Sequence, residues 1–163
     1  MEGWELAPSF LAGQELFHEI ISCSLCATED DFQAMVARAL ATFQRCAELV
    51  RSLAVFSKGE EVDDVNTEDL KFLLIDYYSA MLHLKIVDRN RLGHINAAAA
   101  LFARFLDRCE KMRIMCGEDR QVFLEVPREL IFCLARLSLS FIEPTHKEGF
   151  KIYVCAAGAG GQD

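Results

Sequence analysis

The sequence predicts an all-α fold of antiparallel helical pairs, and three observations carry the prediction. Apolar residues recur at steps of three and four through long stretches, the spacing that gathers side chains on one face of a helix. Short polar turns with capping residues separate those stretches. With 163 residues, 52% of them hydrophobic, the chain is the size of one domain and has the apolar mass for a real core.

Residues 1–7, which hold the only tryptophan, Trp4, precede Pro8 and Ser9, and these two announce the first helix. Phe10, Gly13, Phe17, Ile20 and Ser24 fall on one of its faces with Leu16 and Ile21 alongside, which carries it to about residue 25. Thr28 followed by Glu29, Asp30 and Asp31 reads as an N-cap with acids in the first turn, where the helix dipole favours them. The second helix then keeps its step through Phe32, Met35, Val36, Ala39, Phe43, Cys46, Val50 and Leu53 to about residue 55, and Lys58-Gly59 ends it. Glu60, Glu61, Asp63 and Asp64 follow in a loop that reads as a solvated connection, because it lacks the alternating oxygen ligands, central glycine and terminal glutamate of a calcium loop.

Asn66 or Thr67 is expected to cap the third helix, which carries two apolar faces. Leu70, Leu73, Leu74, Tyr77, Met81 and Leu84 form one, and Phe72, Ile75, Tyr78, Leu82 and Ile86 the other. Only Glu68, Lys71, Asp76, Ser79 and His83 are left to meet water in a narrow stripe, so this helix belongs in the interior with neighbours on both sides. Asp88-Arg89-Asn90 turns the chain into a fourth helix. That helix is apolar at Leu92, Ile95, Ala99, Phe102, Leu106 and Cys109 and runs to about residue 113, with a small-residue surface at 97–100 for close approach. Gly93 inside it costs about 1 kcal/mol relative to alanine. Residues 121–126 suit a short helix or a strand. Pro127 suits the first turn of a fifth helix over 128–142, apolar at Leu130, Ile131, Cys133, Leu134, Leu137 and Phe141 and stopped by Pro144. The chain therefore divides into a helical domain over 1–142 and an irregular or flexible tail over 143–163, rich in Ala and Gly at its end.

A net charge of −8 and a pI near 5.0 oppose nucleic acid or an acidic membrane as partner, since phosphate backbones need a concentrated basic field. No apolar run reaches the roughly 18 residues of a spanning helix, and the first residues lack the pattern of a signal peptide, so the expected location is cytoplasmic. Seven cysteines, an odd number scattered over helix faces, read as reduced thiols. Cys23 and Cys26 fit C-x-x-C, but no second pair completes a zinc set and Cys23 falls near a helix end, so these too read as packing. No metal or cofactor is expected.

Enzyme motifs are missing: there is no G-x-S-x-G, no H-E-x-x-H and no glycine-rich phosphate loop. His18 with Glu19, and His83 with Asp76, are the nearest approaches to acid/base pairs, and their helix positions do not converge. Arg104, Arg108 and Lys111, interleaved with Asp107 and Glu110, read as a solvated helix face.

A longer pattern runs through the middle of the chain: Val55-Phe56-Ser57, the acidic residues at 60–64, Thr67, Asp69-Leu70-Lys71-Phe72-Leu73-Leu74, Leu82-His83-Leu84-Lys85, Arg91-Leu92-Gly93-His94-Ile95, Phe102, Phe105-Leu106 and Cys109. It resembles the alpha-four, immunoglobulin-binding-protein-1-like family of type 2A phosphatase-associated proteins, regulators working downstream of the TOR kinase, over about residues 9–116. The resemblance implies a tetratricopeptide-like solenoid of stacked helical pairs, without catalysis of its own, that binds type 2A phosphatase catalytic subunits. The family's basic helix after the fourth helix has no match here, and Arg128, Arg136 and Lys147 in that zone lack the surrounding pattern. With the helix-three stripe so narrow, Lys71, Asp76 and His83 point into a groove or onto one rim, and Arg89 and Arg91 stand at the turn beside it. This rim is the expected accessory surface for the phosphatase, recognised by charge. A helical-repeat adaptor for another protein or peptide explains the helices equally well, and a small hydrolase or thiol redox protein is the more distant reading.

Overall fold

In the computed structural model the described residues are 3–56, 65–115, 117, 120 and 121. Four α-helices follow one another: α1 (Gly3–Ser22), α2 (Asp30–Ser52), α3 (Leu74–His83), entered through a 3-10 turn (Leu70–Leu73), and α4 (Arg91–Lys111). There is no strand among the described residues. The expected fifth helix, the acidic residues at 60–64 and the tail lie outside them.

Side-chain contacts fix the directions of the helices. Glu5 at the start of α1 pairs with Arg45 late in α2, and Phe10 meets Phe43, so these two run antiparallel. Phe43 stacks on Tyr78 while Gln33, near the start of α2, reaches Lys85 beyond the end of α3, which makes α2 and α3 antiparallel too. Asp76 pairs with Arg104 and His83 with His94, and α4 returns alongside α3. Phe10 lies against Phe72 and Phe17 against Tyr78, so α1 and α3 run parallel.

Neighbouring residues on a helix point about 100° apart at 3.6 residues per turn, and α3 uses this to join two halves of the core. Tyr78 turns toward α1 and α2, with ring centroids 4.7 Å from Phe17 and 5.1 Å from Phe43. Tyr77 turns toward α4, 6.0 Å from Phe102 and 5.9 Å from Phe105. Every residue from Phe72 to Ala80 is buried, which makes α3 the interior element that its two apolar faces predict. Burial pushes the Tyr78 hydroxyl up to about 12, and Gln14 donates to its oxygen at 3.0 Å, so the ring's polar end is satisfied inside the core.

Several boundaries differ from expectation for local reasons. α1 begins at Gly3, not at Pro8, because Leu6 is buried in the core and holds the preceding turn; Pro8 sits on the exposed side, where only one helical bond is lost. It ends at Ser22, whose hydroxyl donates to the His18 carbonyl, and Ser24 is exposed rather than on the core face. The N-cap position of α2 is Glu29, not Thr28: the Glu29 carboxylate accepts from the Cys26 N–H at 2.7 Å, and the Thr28 hydroxyl lies 3.2 Å from Cys26 Sγ. Helix three opens as a 3-10 turn behind Asn66, whose carbonyl accepts from the Asp69 N–H, and it ends at His83. At the start of α4, Leu92 is 70% exposed, and a Cβ on Gly93 would meet the Asn90 side chain at 2.5 Å. Glycine there makes room for the turn.

α2 and α4 end alike. Ala54 (φ 49°) and Arg113 (φ 56°) take the left-handed conformation after the last turn. Val55 and Ile114 then donate to the Val50 and Cys109 carbonyls, closing off groups that the helix end leaves unpaired. Glycine is the residue that adopts this conformation without strain, so Ala54→Gly should raise stability by about 1 kcal/mol. An unchanged or lower urea midpoint would contradict that.

Of the cysteines, Cys46 and Cys109 are buried, and burial pushes their thiols up to about 11 and about 12. They pack as expected. Cys26 does not: it is exposed, and its thiol is held below the usual range by the Thr28 hydroxyl.

Candidate partner-binding surface

Two polar sites interrupt the apolar packing of α3, one at its end and one at its start. At the end, Arg91 folds back so that Nη1 donates to the carbonyls of Leu84 and Ile86, each at 2.9 Å. Gln33 ties the same turn from α2, donating to the Lys85 carbonyl at 3.1 Å and accepting from the Val87 N–H at 3.3 Å. His94 Nε2 lies 2.9 Å from Asp88 Oδ2, and its Nδ1 lies 3.2 Å from His83 Nδ1, with the two rings stacked. With His94 donating to Asp88 through Nε2–H, its Nδ1 accepts and His83 donates. The chain of contacts staples the turn between α3 and α4. Arg89 is exposed on it.

Burial, and then the neighbouring His94, hold the His83 imidazole below its ordinary value of 6.5. An imidazole that resists protonation in the folded chain but accepts a proton in the unfolded one destabilises the fold as pH drops. Stability contributed by His83 is therefore whole above pH 6.5 and falls as pH is lowered from there toward its folded value. Urea midpoints between pH 7.5 and 5.5 should show the fall, and His83→Gln should flatten it.

In the first turn of α3, Asp76 is 3% exposed, whereas the sequence pattern placed it among residues meeting water; Ser79 is buried as well and donates to the Ile75 carbonyl. The carboxylate is taken by α4. Arg104 donates to both of its oxygens, Nε to Oδ2 at 2.7 Å and Nη2 to Oδ1, and Arg108 Nη1 stands 3.6 Å from Oδ2. The hydrogen bonds to Asp76 hold the Arg104 guanidinium above its usual range. Around this pair opens a cleft of about 210 Å³, floored by Ala47, Val50, Phe72 and Ile75 and edged by Arg51 from the end of α2. Lys71 Nζ lies 5.3 Å from the centroid of the Phe72 ring.

The five residues expected on one rim are thus spread along α3. Lys71 and His83 are about 18 Å apart at 1.5 Å per residue. Asp76 lines the cleft between them, and Arg89 and Arg91 lie at the far turn. Asp76 and His83 make no acid/base pair with each other, since each has another partner.

A family model described as TAP42-like matches residues 6–129, well over half of the chain. The chain belongs to the TAP42-like family. The match is wider than the resemblance read from the motif alone and includes α1 from Leu6 onward. Among relatives of this TAP42-like chain, "PP2A regulatory subunit TAP46" of Arabidopsis thaliana is 33% identical over 105 residues, which are 64% of this chain and 26% of that protein. The protein of the same name from Nicotiana tabacum is 31% identical over 87 residues, 53% of this chain and 22% of its own length. "Immunoglobulin-binding protein 1 family member C" of Homo sapiens is 29% identical over 83 residues, 50% of this chain and 24% of its length. The TAP42-like chain spans about a quarter of the length of these relatives.

Sequence reasoning missed Arg51, Arg104, Arg108 and His94 as parts of polar sites. For Arg104 and Arg108 a signal existed: an acid in the centre of a helix with two apolar faces needs a cationic partner on a neighbour, and the i, i+4 arginines of α4 supply it. The pairing of His83 with His94 depends on how tightly the turn closes, which spacing alone does not give.

Proposed function

We propose that this chain is a non-catalytic regulator that binds the catalytic subunit of type 2A-like serine/threonine phosphatases and acts as a cytoplasmic adaptor in TOR-linked signalling. The observation that carries the reading is the TAP42-like match over residues 6–129, supported by relatives named as PP2A regulatory subunits. Antiparallel neighbours with α1 parallel to α3 are compatible with a tetratricopeptide-like stack, in which each helix pair buries its apolar face on the next. On this reading Lys71, His83 and Arg89 supply contacts along the α3 rim. Arg91 holds the turn, and Asp76 positions Arg104.

The test is capture of purified type 2A phosphatase catalytic subunit on the immobilised chain at graded ionic strength. Capture should weaken with salt, because the half-buried Lys71 and the exposed Arg89 act through screened attraction. Lys71→Glu with Arg89→Glu should abolish it, with Arg91 left intact to preserve the turn. No capture at low ionic strength would overturn the reading. Undiminished capture by the doubly reversed chain would remove the interface from this rim.

A further inference from the structure

We propose that the cleft at the start of α3 is a binding site for a phosphorylated side chain of a partner polypeptide. Charge sets the ligand class. Among the described residues, Arg51, Arg104 and Arg108 line a cleft with one carboxylate, Asp76, so three positive groups face one negative and two positive charges remain. A phosphoryl group carries about −1.5 to −2 at neutral pH and closes that balance, whereas the single charge of a glutamate leaves it half open. The whole chain is acidic, at −8, so this local excess runs against the rest of the surface.

Geometry supplies the donors. Asp76 takes one edge of the Arg104 guanidinium through two hydrogen bonds and thereby fixes its plane. Arg108 stands 3.6 Å from Asp76, too far for a hydrogen bond, and donates none to a described residue. Arg51 donates through Nε to the Ala47 carbonyl, within its own helix, and its Nη groups donate to none of the described residues. Planar guanidiniums with open edges are the chemistry that grips phosphoryl oxygens in pairs. The apolar floor of Phe72 and Ile75 takes up hydrocarbon that free phosphate lacks, and this points to a residue within a peptide. None of Lys71, His83 and Arg89 lines the cleft, and its test reads nothing from the phosphatase.

The probe is the peptide acetyl-Leu-phosphoSer-Leu-amide, titrated into the full chain by calorimetry beside the Ser and Glu peptides and inorganic phosphate. The phosphopeptide should bind, and Arg51→Gln and Arg108→Gln should each weaken it about tenfold, the loss of one charged hydrogen bond. Lys111→Gln, an exposed change on the same helix outside the cleft, should leave binding unchanged. Circular dichroism of each variant confirms that it folds, and Arg108→Lys, which keeps the charge but not the fork, should bind between wild type and Arg108→Gln. Failure of the phosphopeptide to bind, or binding at wild-type strength by either Gln variant, overturns the site. A Glu peptide that binds as tightly overturns the phosphoryl assignment, and inorganic phosphate that binds as tightly overturns the peptide.

Discussion

Phe43→Ala should lower the free energy of unfolding by about 3–5 kcal/mol, the range for deleting a fully buried aromatic side chain. Phe43 is 0% exposed and stacks on Tyr78 at 5.1 Å, with Phe10 edge-on at 6.1 Å. Its removal empties the place where α1, α2 and α3 meet. The same ring explains Gly13. A Cβ on Gly13 would lie 3.0 Å from Phe43 Cε1 and Cζ, so glycine lets α1 settle on the ring. Gly13→Ala in the native chain gains about 1 kcal/mol of helix propensity and gives it back by displacing the ring. In the Phe43→Ala background the ring is gone, and the same change should recover about 1 kcal/mol. Urea unfolding of the native chain and the three variants measures the coupling. Additive effects would mean that Gly13 and Phe43 do not press on each other.

The Phe43–Gly13 contact also shows what periodicity delivers. Phe10, Phe17, Phe32, Val36, Ala39, Phe43, Cys46, Phe102, Leu106 and Cys109 all lie buried where their spacing places them, because a helical step fixes which side chains share a face. Leu53 and Leu92 fit the same step yet are 39% and 70% exposed: each stands at a helix end, where the chain leaves the core before the pattern stops. Pro8 misled for a related reason. It marks a favoured first turn, but the burial of Leu6 outweighs one lost hydrogen bond. For the proposed surface the pattern names residues, and their geometry was not legible in it. Lys71, His83, Arg89 and Arg91 lie along α3 and its turn, but nothing in a one-dimensional pattern distinguishes an acid facing water from one facing two arginines of another helix.

That distinction has a measurable consequence in the Asp76–Arg104 pair. Arg104→Ala should cost about 2–3 kcal/mol, because it leaves a carboxylate only 3% exposed without its two hydrogen bonds. The loss falls short of the roughly 3–5 kcal/mol of a fully buried pair, since Arg108 remains 3.6 Å from Oδ2 and the Arg104 side chain is 54% exposed. Asp76→Leu should cost less than about 1 kcal/mol: the buried charge leaves with its desolvation penalty, a side chain of similar size fills the space, and Arg104 turns to water. Urea midpoints of the two single variants therefore differ in a direction that attraction alone does not give. Equal losses would show that the pair acts by mutual attraction and that burial of Asp76 is of no account. The acid is then retained for what it does to Arg104. With Asp76→Leu the guanidinium loses the two bonds that set its plane, so the cleft should bind the phosphoSer peptide more weakly even though an acid has gone, in a chain within about 1 kcal/mol of the native stability.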